Sequence, residues 1–119
     1  MPAVDKGWIA VDFDGTLSVY QGNFTVMGAP IPLMVNRVKA WLAAGHEVKI
    51  FTARVSHKDA DKRQAVVDAI QAWCVQYIGR SLEVTNVKDF HCKAIYDDKA
   101  VQVMRNTGYL VTPRGIKRT

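Results

Sequence analysis

The chain has 119 residues, 49% hydrophobic and 23% charged, the balance of one folded domain with a core and not of a disordered chain. No apolar run approaches the roughly 20 residues that cross a bilayer, and the opening MPAVDKGW has neither the basic start nor the apolar stretch of a signal peptide, so the expected compartment is the cytoplasm. Sixteen Lys and Arg against eleven Asp and Glu give a formal charge of +5, which favours anionic partners such as phosphorylated metabolites or nucleic acid.

Trp8 to Phe13 reads as a first, mostly buried strand between Gly7 and Gly15. Residues 18–32 mix Gly22, Gly28, Pro30 and Pro32 with aromatics and read as a loop with a short hairpin. From Pro32, apolar positions Met34, Val35, Val38, Trp41 and Leu42 recur at helical spacing until Gly45 supplies the stop. HEVKIFT, His46 to Thr52, is a second strand. Ser56 and Asp59 are both candidate caps for a helix whose stripe runs through Val66, Val67, Ile70, Trp73, Cys74 and Tyr77 to Gly79.

Leu82 to Thr85 reads as a third strand, and Lys93 to Asp98 contains a fourth that ends in acids. Ala100 to Arg105 reads as a brief helix, Gly108 as a turn and Tyr109 to Val111 as a fifth strand. Trp8, Trp41 and Trp73 are expected in or near the core. Cys74 and Cys92 show neither metal-ligand spacing nor a disulfide framework. Alternating strands and helices imply right-handed βαβ units and a parallel sheet covered on both faces. Ligands of such sheets bind beyond the carboxyl ends of the strands.

That rule brings Asp12, Thr52 and Asp97 to one rim. Asp12 with Asp14, and Asp97 with Asp98, form a cluster of four acids that repel one another without a cation. Oxygen ligands with retained water suit Mg2+, usually shared with a substrate phosphate. Thr52 and a lysine, Lys88 or Lys93, would supply donors to the phosphoryl oxygens, which is most of what phosphoryl transfer asks of a protein.

The motifs DFDGTL (Asp12 to Leu17), IFTAR (Ile50 to Arg54) and YDD (Tyr96 to Asp98) together resemble, in order and spacing, those of the haloacid dehalogenase-like superfamily, in particular its small phage and bacterial members. The likeness runs from about Trp8 to Met104. It implies an α/β, Rossmann-like doubly wound parallel sheet of strand order 5-4-1-2-3 and magnesium-dependent phosphatase chemistry. By that resemblance Asp12 is the nucleophile that becomes phosphorylated, and Asp14 protonates the leaving oxygen and then activates water. The Asp12 side chain, the Asp14 backbone carbonyl and Asp97 hold magnesium, with Asp98 as a further ligand or support, and Thr52 bonds the phosphoryl group.

The family's lysine falls on Lys88 or Lys93. Lys88 is favoured because it lies in the loop before the fourth strand, whereas Lys93 begins that strand. Gly15 and Thr16 fit the tight turn after the first motif, and Arg54 is placed to meet substrate or to form a salt bridge. The stretch from Gly15 to Ile31 and the short one before Lys88 leave no room for a folded cap, since an independent domain takes about 50 residues. The expectation is therefore one capless domain over residues 1–119 with an open site, partly covered by Tyr20 and Phe24. Such a site suits bulky substrates or a cap from a neighbouring subunit, which leaves a homo-oligomer open.

The expected partner is a phosphorylated small molecule, a nucleotide or a nucleic-acid end, with no membrane. The alternative is a regulatory or nucleic-acid-binding protein that keeps the fold and the magnesium site without useful turnover. A phospho-acceptor receiver domain fits poorly, because the third strand ends in LEVTNV with no aspartate.

Overall fold

The computed structural model describes residues 6–22 and 27–117; the expected cover from Phe24 lies outside them. The chain runs through β1 (Trp8–Val11), α1 (Pro32–Ala43), β2 (Glu47–Phe51), α2 (Ala60–Tyr77), β3 (Val84–Thr85) and β4 (Cys92–Tyr96). It closes with three short strands, β5 (Gln102–Val103), β6 (Leu110–Thr112) and β7 (Gly115–Lys117).

Local chemistry sets the helix ends. Pro32 opens α1, where its missing N–H costs nothing, and Gly45, at φ +91°, turns the chain out after it. Asp59, not Ser56, caps α2: its Oδ1 accepts from the N–H groups of Asp61 and Lys62.

The main sheet is parallel, in the order β3-β2-β1-β4. Side chains alternate across it. Ile9 and Val11 of β1 and Val48 and Ile50 of β2 share one buried cluster with Val35 and Val38 of α1 and Ile70, Trp73 and Cys74 of α2, so both helices cover the same face. Right-handed crossovers from β1 to β2 to β3, all progressing one way, put them there.

The expectation of helices on both faces is corrected here. The return from β3 to β4 is residues 86–91, shorter than the roughly 10 residues a helical crossover takes. On the second face Trp8 is sealed by local contacts instead. Its indole N–H donates to Asp89 Oδ1 at 2.8 Å, Phe51 meets it edge-on at 6.5 Å, and the Lys49 ammonium lies 4.7 Å from its ring centre.

Strand order also departs from 5-4-1-2-3. The segment expected as a fifth parallel strand is β6, the centre of a separate antiparallel sheet, β5-β6-β7. The expected helix from Ala100 to Arg105 is β5 followed by a turn, with Asn106 at φ 64° and Gly108 at φ +77°. Gln102 and Val103 pair with Val111 and Leu110, which takes the segment into the sheet, and the left-handed backbone at Asn106 and Gly108 turns the chain between the two strands.

Candidate active site at the carboxyl ends of the strands

β1 ends at Val11, and the next backbone N–H, that of Asp12, still bonds Tyr96 O of β4 at 2.9 Å. Alternation then separates the acids from their neighbours. Phe13 is fully buried, edge-on to Trp73 at 5.0 Å, so Asp12 and Asp14 project to the rim. The Phe13 carbonyl accepts from the N–H groups of Leu17 and Ser18, winding the chain into a tight turn at once.

Gly15 sits at φ +83°, and a Cβ there would lie 2.7 Å from Asp98 Oδ2. Only glycine allows both the turn and the approach of the second acid pair. Thr16, nearly buried, ties the two pairs together. Its hydroxyl accepts from the Asp98 N–H at 3.0 Å and lies 3.4 Å from Asp12 Oδ2 and 3.3 Å from Asp98 Oδ1, donating to one or the other.

Asp12, Asp97 and Asp98 each place a carboxylate oxygen within 4.8 Å of the others. Burial first, then the Asp97 charge, a hydrogen bond with the Asp98 carboxyl and the Asp98 charge push the Asp12 carboxyl up to about 7, against a smaller opposing bond from the Phe13 backbone. Exposed acids often cluster without a metal. Here one member is half-buried and resists ionisation beside its neighbours, and the three carboxylates together offer the hard oxygen donors that a divalent cation takes.

Asp14 stands apart from that group. Arg54 grips it with a two-pronged fork, Nε to Oδ2 at 2.7 Å and Nη2 to Oδ1 at 2.8 Å. The side chains are only 6% and 16% exposed, so this is a sequestered pair and not a surface one. Its geometry follows from Thr52, which ends the extended run of β2. The Thr52 N–H bonds Thr85 O of β3 at 3.0 Å, and its hydroxyl accepts from the Arg54 N–H at 3.2 Å. That bond starts a single 3-10 turn, Ala53–Val55, which aims Arg54 back at the first motif.

These groups line one hollow of about 800 Å3 over the strand ends, with Asp12, Asp14, Thr52, Arg54, Asp97 and Lys99 around its charged end. Neither expected lysine is there. Lys93 is at the far, amino end of the sheet, with its ammonium 3.2 Å from His46 Nδ1. Lys88 is exposed in the return to β4 and does not line the hollow. Lys99 does, directly after the acid pair, its backbone N–H bonded to Asp97 Oδ1 at 2.8 Å. The signal was adjacency to Asp97 and Asp98. Ser56, His57 and Asn86, which line the other end, carried no such signal.

After the first motif the chain doubles back on itself: Val19 N–H bonds Ala29 O, and Ile31 N–H bonds Leu17 O. Trp73 Nε1 donates to Gly28 O at 2.9 Å and pins it to α2. Tyr20, expected as cover, is exposed.

No family model and no curated protein matches the sequence. Among solved structures, the chain is similar to a conserved protein from Bacteroides thetaiotaomicron, with a TM-score of 0.59 over 81% of this chain and 78% of that one, at 20% identity. Fold and likeness together define a mixed α/β domain with a four-stranded parallel sheet and a small antiparallel one. Among the described residues, no helix is long and apolar enough to cross a membrane.

Proposed function

We propose that the protein is a magnesium-dependent phosphohydrolase of the haloacid dehalogenase-like type, a phosphomonoesterase working through a phospho-aspartate on Asp12. The observation that carries this reading is the half-buried Asp12 carboxylate at the end of β1, within 4.8 Å of ligand oxygens from Asp97 and Asp98, facing a hollow that also holds Thr52, Arg54 and Lys99.

Asp12, Asp97 and Asp98 would hold the ion, which supplies charge neutralisation at the phosphoryl oxygens. An Asp12 oxygen attacks phosphorus in line, forming the acyl phosphate as the bond to the leaving oxygen breaks and Asp14 delivers a proton to that oxygen. Water then attacks the same phosphorus, Asp14 takes up its proton, and inorganic phosphate leaves with the Asp12 carboxylate restored. Thr52 and Lys99 are the donors placed to hold the remaining oxygens. For Asp14 to do this work it must first give up at least one Arg54 bond and take a proton from solvent on the freed oxygen, the proton it then passes to the leaving oxygen and regains from the attacking water.

That requirement also favours a second reading. Both oxygens of Asp14 are committed to Arg54, as suits a metal-binding regulatory protein with little turnover. Release of phosphate from an aryl phosphate separates the two. The phosphatase releases it with Mg2+, loses activity to chelator and loses it in Asp12→Asn; absence of release from any phosphomonoester sinks the enzyme reading.

A further inference from the structure

The hollow is longer than a phosphoryl group needs. At about 800 Å3 it falls among sites of roughly 300–1,000 Å3 that take whole organic ligands. Its two ends differ in chemistry. The end over Asp12 carries the carboxylates and the cations Arg54 and Lys99. The other reaches from the end of β2 toward α2 and the residue after β3, lined by Phe51, Ser56, His57, Val66 and Asn86.

No Lys or Arg lines that second end among the described residues. Arg63 close by is engaged with the His57 and Lys58 carbonyls at 2.6 and 2.9 Å, so a second phosphate or a carboxylate on the leaving group would find no cation in the lining itself. What the end offers is neutral: the apolar side chain of Val66, the Phe51 position, whose ring is turned to Trp8, an imidazole, a hydroxyl and an amide. Asn86 Nδ2 donates to Ser56 Oγ at 3.1 Å, which orients the amide and leaves its oxygen and second N–H for a ligand.

We infer that this end of the hollow is a leaving-group subsite for a nucleoside, so that the site takes a terminal nucleoside phosphate. A nucleobase brings a flat apolar face and a donor–acceptor edge, matching that lining, whereas a small sugar or glycerol leaving group has no such face. The formal charge of +5 suits an anionic nucleotide or strand end. The inference rests on the phosphohydrolase reading for the phosphoryl end of the hollow and adds the chemistry of the group that departs.

Titration calorimetry of the full chain with Mg2+ and non-hydrolysable phosphonates tests it. The probes are methylphosphonate, a hydroxypropylphosphonate, a short bisphosphonate, a nucleoside 5′-phosphonate and an oligonucleotide ending in that phosphonate. The nucleoside phosphonate should bind at least about tenfold tighter than methylphosphonate. Asn86→Ala and His57→Ala, both on exposed side chains, should remove most of that preference and leave methylphosphonate affinity unchanged. Tighter binding of the oligonucleotide supports the inference and assigns a strand end; equal or weaker binding supports it with a free nucleotide.

Equal affinity for all the phosphonates, or preference for the bisphosphonate, overturns it. Aryl phosphate turnover in the same preparation reports on the phosphatase separately. Turnover without nucleoside preference removes the subsite alone, while no turnover and no magnesium-dependent phosphonate binding remove both.

Discussion

Arg54 and Asp14, forty positions apart in sequence, are joined by two hydrogen bonds of 2.7 and 2.8 Å that consume both carboxylate oxygens. The pair links the end of β2 to the turn after β1, so it belongs both to the site and to the fold. Removing one partner leaves the other charged in a place water barely reaches. Arg54→Ala should cost about 2–4 kcal/mol of stability, read by chemical denaturation. Arg54→Lys should recover only part of it, because an ammonium cannot reproduce the fork.

Asp12 gives the account a pH dependence. Its carboxyl is raised from 3.8 to about 7, so the folded chain holds the proton more tightly than the unfolded one. The resulting stability is present in full below about pH 3.8 and is lost as pH rises through about 7. Metal-free Asp12→Asn should therefore melt above the parent at pH 8, by about 2–5 °C, and the gap should narrow toward pH 5. Saturating Mg2+ should raise the parent's Tm more than the variant's. Thermal melts with and without chelator check both.

Gly15 is where the two acid pairs are allowed to meet. A methyl there would lie 2.7 Å from Asp98 Oδ2, on backbone at φ +83°. Gly15→Ala should displace Asp98 and weaken Mg2+ binding by about tenfold, the usual lower end for disturbing a metal site's supporting contacts. Titration of the metal into the folded variant measures it.

The paired segments on either side of residues 20–28 hang on two contacts at Gly28. A Cβ on Gly28 would fall on the Val19 carbonyl oxygen, and Trp73 Nε1 bonds Gly28 O at 2.9 Å. Trp73→Phe keeps the ring packing and drops that bond, at about 1 kcal/mol. Gly28→Ala cannot keep this pairing and should cost about 1–3 kcal/mol. Amide exchange at Val19, whose N–H bonds Ala29 O, should quicken in both variants, and more in Gly28→Ala.

The rim was legible because a buried strand followed at once by DFD has few ways to place its carboxylates, and Phe13 between them had to go inward. Helix α1 was legible from Pro32, the apolar stripe and Gly45. Partners across sequence were not: nothing local to Arg54 says that Asp14 will be its carboxylate, and the lysine at the hollow, Lys99, follows the acids instead of preceding β4. The stretch after β4 reads differently from the structure because five or six residues such as Ala100 to Arg105 are too few for periodicity to separate helix from strand. Bare coverage of the second sheet face could have been anticipated from the short span between Thr85 and Cys92.

In the proposed reaction Asp12 itself becomes phosphorylated. Acid-quenching the protein during turnover of an aryl phosphate with Mg2+, then weighing the intact chain and its peptides, tests that directly. The expected result is the added mass of one phosphoryl group on the peptide carrying Asp12, absent in Asp12→Asn, which should not turn over. Phosphate release that continues in pure Asp12→Asn, with no phosphoryl mass on that peptide of the parent, would contradict it.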